Sequence, residues 1–153
     1  MLPDEVFGIP LHPLVVHAAV VFVPLAALAT VVFAAVPRWR RTYGWLVVIT
    51  SAVAAVTVPL ATQSGKRLLE MREFGGPVLE KVLEHEAMGD RLIWAVAPMF
   101  LLNLAAMLML RAGRPAREVT IVAAVAVVAA AVSLVLVVLT GHLGSMAVWN
   151  PTG

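Results

Sequence analysis

The chain contains no cysteine. That excludes disulfides, thiolate metal sites, cysteine-ligated iron–sulfur clusters and cysteine nucleophiles. Charge is scarce too: Asp, Glu, Lys and Arg make up 13% of the 153 residues, against roughly 25% in an ordinary soluble domain. Acids are nearly missing from two short arginine-rich segments, 37–43 and 111–118, where Glu118 is the single carboxylate. Neither segment holds a histidine. The opening Met-Leu-Pro-Asp-Glu lacks the basic residues of an export leader, so no cleavable leader is expected.

Apolar residues fill the space that charge leaves. They make up 61% of the chain, and the mean hydropathy is +0.96. Four apolar runs, near 14–36, 44–62, 92–110 and 119–140, each approach the roughly 20 residues that a bilayer requires. The predicted fold is all-α: one integral membrane domain, 1–153, built as a four-helix bundle with the lipid bilayer as its surroundings. Segments 37–43 and 111–118 read as tight turns between antiparallel helices. The longer connection, 63–91, reads as an extracytoplasmic loop with a helix of its own. That helix starts near Pro77, where Val78, Leu79, Val82 and Leu83 recur at helical spacing, and continues into the third span.

The arginines orient the bundle. Arg38, Arg40, Arg41, Arg111, Arg114 and Arg117 lie in the short turns with Glu118 alone against them. The other side holds Lys66, Arg67, Arg72, Lys81 and Arg91 with Asp4, Glu5, Glu70, Glu73, Glu80, Glu84, Glu86 and Asp90. The positive-inside rule places the short turns in the cytoplasm and both termini outside. Trp39, Tyr43 and Trp45 then mark one interface, and Trp94 and Trp149 the other. This topology accounts for the arginine clusters and leaves no case for nucleic-acid binding.

All four histidines, His12, His17, His85 and His142, fall at the outer ends of helices. His12 and His17 flank the start of the first span in Leu11-His12-Pro13-Leu14-Val15-Val16-His17, and an ionisable residue inside a span marks a functional site by default. Pro13 suits a first helical turn, which places His12 at or just before the helix start. His85 stands eighteen residues, or five turns, before Asn103 and so shares its inward face, with Glu86 beside it. His142 leaves the fourth helix between Gly141 and Gly144. Imidazoles without thiolates suit copper, zinc or iron ions, or a haem with two histidine ligands. The expected ligands are His17, His85 and His142, with His12 as a fourth ligand or a supporting group and Glu86 as a ligand or orienting carboxylate. Haem b is the first choice of cofactor, with Arg67, Lys66 and Arg91 on the same side as cations that could pair with its propionates; a bare copper, zinc or iron ion is the second. Met146, four residues after His142, has a spacing that admits copper ligation, whereas Met88 points away from the inward face. The histidine-free cytoplasmic half offers no second bis-histidine haem, so a haem ladder across the membrane is not expected.

These motifs resemble those of domain-of-unknown-function family 2231, a group of small bacterial membrane proteins. His12-Pro13-Leu14-Val15-Val16-His17 matches its opening His-Pro-x-x-Val-His, and His85-Glu86-Ala87-Met88-Gly89 its histidine at the third helix. The segment from Gly141 to Trp149 is similar to its closing Gly-x-x-Gly-Gly-x-x-Val-Tyr pattern, with Ser145 and Trp149 as departures. The resemblance implies a bacterial plasma-membrane protein whose four-helix layout is similar to that of small haem b cytochromes, an analogy of fold and not of site. The function expected on these grounds is redox or electron transfer at the outer face, with a membrane or extracytoplasmic redox partner. The alternative is a structural or accessory subunit without a cofactor. A transporter is less favoured, since no inverted repeat or interrupted helix pair is evident.

Overall fold

Four long helices carry nearly all of the chain in the computed structural model, which describes residues 5–72 and 74–150. Asp4 and Glu73, counted above among the outer acids, lie outside these residues. A two-stranded hairpin, β1 (Glu5–Val6) and β2 (Ile9–Pro10), leads in through a turn with positive φ at Phe7 and Gly8. The helices are α1 (Leu11–Ala35), α2 (Arg40–Met71), α3 (Gly76–Arg111) and α4 (Ala116–Trp149). All four are long and apolar enough to cross a membrane. α1 packs on α2 and α4, and α3 packs on the same two, so the bundle is four-sided with α1 and α3 on one diagonal.

The helices overrun the apolar runs. At 1.5 Å per residue, α2, α3 and α4 are each about 50 Å long, against a hydrocarbon core of about 30 Å. The excess lies at the end that carries the histidines. There α2 and α3 absorb most of segment 63–91, which is helical up to Met71 and again from Gly76. At the arginine end the turns are short. Gly113, with φ +70°, and Arg114 return their N–H groups to Leu110 and Met109 and close α3. α1 is closed by an arginine instead. Arg40, 3% exposed, donates to the carbonyls of Phe33 (2.8 Å) and Ala34 (2.7 Å) and to Thr120 Oγ1 (2.9 Å). Arg40 is therefore a buried cap on the C-terminal carbonyls of α1 and a tie to α4; it belongs to the core, not to the solvated turn in which the charge count placed it.

The buried positions repeat. In α1 they include Ala19, Val23, Ala26, Thr30 and Phe33; in α3, 73 positions later, Leu92, Val96, Met99, Asn103 and Ala106. In α2 they include Val47, Ser51, Ala54 and Val58; in α4, 79 positions later, Ala126, Ala130, Ser133 and Val137. The α1–α2 hairpin thus corresponds to the α3–α4 hairpin, a parallel repeat whose two-fold axis runs along the bundle. Thr30 and Asn103 are equivalent residues on opposite helices, and Asn103 Nδ2 donates to Thr30 Oγ1 (2.8 Å) in the buried centre. Small side chains along α2 and α4 let the backbones approach. The hydroxyls of Thr50, Thr57 and Ser133 bond to carbonyls of their own helices.

Candidate functional site

The repeat brings together one histidine from each half. His12, in the first turn of α1, and His85, in the third turn of α3, are 73 positions apart and meet on the two-fold axis. Their ring centroids are 6.2 Å apart, with an interplanar angle of 77°. Each ring is held in the same way. His12 Nδ1 donates to the carbonyl of Ala61 in α2 (2.9 Å), and His85 Nδ1 donates to the carbonyl of Thr140 in α4 (2.8 Å). A carbonyl can only accept, so the neutral rings carry their proton on Nδ1 and keep the Nε2 lone pair. Four residues beyond each carbonyl stands a glycine against the ring. A Cβ on Gly65 would lie 2.9 Å from His12 Cε1, and one on Gly144 would lie 3.0 Å from His85 Cε1. Ala61 and Thr140, like Gly65 and Gly144, are 79 positions apart, so the whole device is duplicated.

A cavity of about 580 Å³ surrounds the pair and draws its walls from all four helices. The walls obey the repeat: Val58 faces Val137, Ala19 matches Leu92, and Thr62 matches Gly141. The two flanks differ. The exposed wall residues, Pro13, His17, Val20, Gly141, Ser145 and Val148, all belong to α1 or α4, so the cavity opens sideways between those helices. Between α2 and α3, Lys66 bonds Asp90 (2.9 Å) and reaches Glu86 (3.8 Å). The equivalents of Lys66, Asp90 and Glu86 are Ser145, His17 and Pro13, so one flank is tied by charge and the other is not.

The remaining candidates fall around this centre. His17 is exposed at the cavity mouth, and its Nδ1 donates to Pro13 of its own helix. Glu86 lines the cavity and pairs with Lys66. Arg67 lines a small cleft beside His12 on the α2 side. Arg91 is exposed and contacts Met88 Sδ (3.8 Å). His142 is exposed, and no wall of the cavity includes it. Of the four histidines, the structure thus pairs His12 with His85, sets His17 at the mouth and leaves His142 outside. Among the described residues, no group of three or more His, Cys, Asp or Glu side chains is placed to hold a metal ion. Sequence reasoning missed Gly65 and the Ala61 carbonyl. The signal that finds them is the 79-residue offset from Gly144 and Thr140.

No curated protein and no solved structure matches the chain. A family model does, over residues 8–152, described as a predicted membrane protein. That span takes in both hairpins, both glycines and both members of the histidine pair, and the chain belongs to this family, DUF2231.

Proposed function

We propose that the protein holds haem b between His12 and His85 and serves in electron transfer at the histidine end of the bundle. The observation that carries this reading is the duplicated holding of the two rings. A metal-ligating histidine commonly donates its other ring N–H to a backbone carbonyl, which fixes the tautomer and aims the free nitrogen; both rings here do so. Two imidazole nitrogens opposed on one ion, each about 2.0–2.1 Å from it, hold their ring centroids roughly 6.3 Å apart. The observed 6.2 Å suits that separation. The donor set favours a porphyrin over a bare ion. Zinc seeks about four protein or water ligands, while among the described residues no third His, Cys, Asp or Glu is placed to hold a metal ion together with the pair. A porphyrin would bring four nitrogens of its own, and His12 and His85 would hold its iron within the apolar cavity. The cavity, at about 580 Å³, lies within the range of roughly 300–1,000 Å³ usual for cofactor sites.

Haem in such a site would supply one-electron chemistry, its potential set by axial ligands and burial. The chain's own part is to present two Nε2 atoms, to keep the rings from turning and to exclude water. A copper, zinc or iron ion on the same pair is the second reading.

The test is an absorption spectrum of purified protein, oxidised and dithionite-reduced, with metal analysis on the same sample. The expected result is a Soret band and a sharp reduced α band. Both are lost in His12→Ala and His85→Ala and kept in His142→Ala. Stoichiometric metal without a Soret band would transfer the site to a bare ion. Neither signal, in protein prepared with haem available, would overturn the cofactor and leave an accessory membrane subunit.

A further inference from the structure

We infer a binding site for one anionic phospholipid at the arginine end, in the groove between α1 and α2. This groove, of about 430 Å³, runs on the outer surface from Leu25 to Phe33 of α1 and from Trp39, in the turn before α2, to Val47 of α2. At 1.5 Å per residue it is about 12 Å long, enough to seat much of an acyl chain along the helices. It ends at the α1–α2 turn, where Trp39 and Tyr43 form an edge-on pair with centroids 6.1 Å apart. The Arg38 guanidinium lies over Trp39, 5.7 Å from the ring centre. Aromatic rings of this kind sit at the headgroup level of a bilayer, and a guanidinium beside them matches a lipid phosphate in charge and in its bidentate geometry. A bilayer covers any apolar surface; a cation fixed at the end of a chain-length groove selects one class of lipid.

The repeat supplies an internal control. The second hairpin needs the same helix packing, so features required by the fold should recur in it. Phe33 corresponds to Ala106, Tyr43 to Val122 and Trp39 to Glu118, while Arg38 corresponds to Arg117. The second hairpin keeps the arginine, loses all three rings and places a carboxylate where the tryptophan stood. That carboxylate is paired with Arg114 (2.9 Å). The aromatic groove with its cation is therefore not imposed by the architecture, and the equivalent place in the second hairpin lacks the rings that frame it.

The experiment uses full-length protein in mixed micelles with equimolar phosphatidylglycerol and phosphatidylcholine, read by native mass spectrometry. One phosphatidylglycerol per chain should persist at detergent levels that strip phosphatidylcholine. Arg38→Ala should lower its retention about five-fold, the weight of one basic side chain near an anionic surface. Tyr43→Val, which copies the second hairpin, should lower it as well, and Arg117→Ala should leave it unchanged. Far-ultraviolet circular dichroism of each variant checks the helices. Equal retention of the two lipids, or equal losses in Arg38→Ala and Arg117→Ala, would overturn the site.

Discussion

Two glycines three residues apart in α4 make a sharp test of the histidine holding. Gly141 and Gly144 occupy the same helix near the same end. Replacing a helical glycine by alanine gains about 0.8–1.0 kcal/mol of backbone propensity. At Gly141 nothing lies within 4 Å of the new Cβ, so Gly141→Ala should keep that gain. At Gly144 the new Cβ meets His85 Cε1 at 3.0 Å and Nδ1 at 3.1 Å. Ordinary carbon contacts lie near 3.5–4.0 Å, so the ring must withdraw by a few tenths of an ångström. His85 Nδ1 is anchored to the Thr140 carbonyl at 2.8 Å, and a withdrawal of that size stretches the bond toward the long end of the hydrogen-bond range. The cost is the overpacking strain, about 1–3 kcal/mol, and a weakened hydrogen bond worth about 1 kcal/mol. After the propensity gain is subtracted, Gly144→Ala should be destabilised by about 1–3 kcal/mol, and Gly141→Ala stabilised by somewhat under 1.

The assay is thermal unfolding of the two variants in one detergent, beside the absorption spectrum. Gly144→Ala should melt below the parent and bind its cofactor more weakly, because the ring that moves is a proposed ligand. Gly65→Ala should behave in the same way, its Cβ meeting His12 Cε1 at 2.9 Å. If Gly144→Ala proves as stable as Gly141→Ala, the ring is free to move and the holding is not what fixes it.

Arg40→Ala should destabilise the protein by on the order of 3 kcal/mol, because hydrogen bonds to a charged group contribute about 1.5–3 kcal/mol each and two α1 carbonyls lose their donor. Arg40→Lys should recover part of this at most, since an ammonium cannot reproduce the guanidinium fork; thermal unfolding of both variants is the measurement. The positive-inside rule predicts that a phosphatase reporter fused after Gly153 is active outside the cytoplasm, while a fluorescent protein at the same place is dark. The reverse pattern would turn the histidine end inward.

What could be read before the fold was known follows from the forces that leave marks on a linear chain. Apolar length marked the four spans, because a bilayer demands it of each helix separately. Hydropathy says nothing where a helix continues past the bilayer, and so α2 runs on to Met71 through what looked like a loop, whereas the helical spacing of Val78, Leu79, Val82 and Leu83 already carries α3 back to near Pro77. Pro13, read as a first-turn proline, puts His12 at or just before the helix start. The helix instead starts at Leu11, which turns His12 into the first turn and onto the axis. Counting charge made Arg40 one more loop arginine. Only the position of the α1 carbonyls reveals that it is a cap.

The repeat was the largest feature missed, because it is written in burial and not in identity. Thr30 answers Asn103, Ser51 answers Ala130 and Ala54 answers Ser133, so aligned letters rarely agree. What the halves share is a set of tasks at fixed offsets: an imidazole, a carbonyl to hold it, and a glycine to make room. Each hairpin carries one full set, yet the imidazole of α1 rests on α2 and that of α3 rests on α4. Each half therefore builds its own holder, and only the meeting of the halves builds the pair. Thr30 and Asn103 meet across the same axis as a buried, hydrogen-bonded pair, whereas the two imidazoles stand nearly perpendicular with their centroids 6.2 Å apart. The cavity around the two imidazoles is the space that the proposed shared ligand would fill.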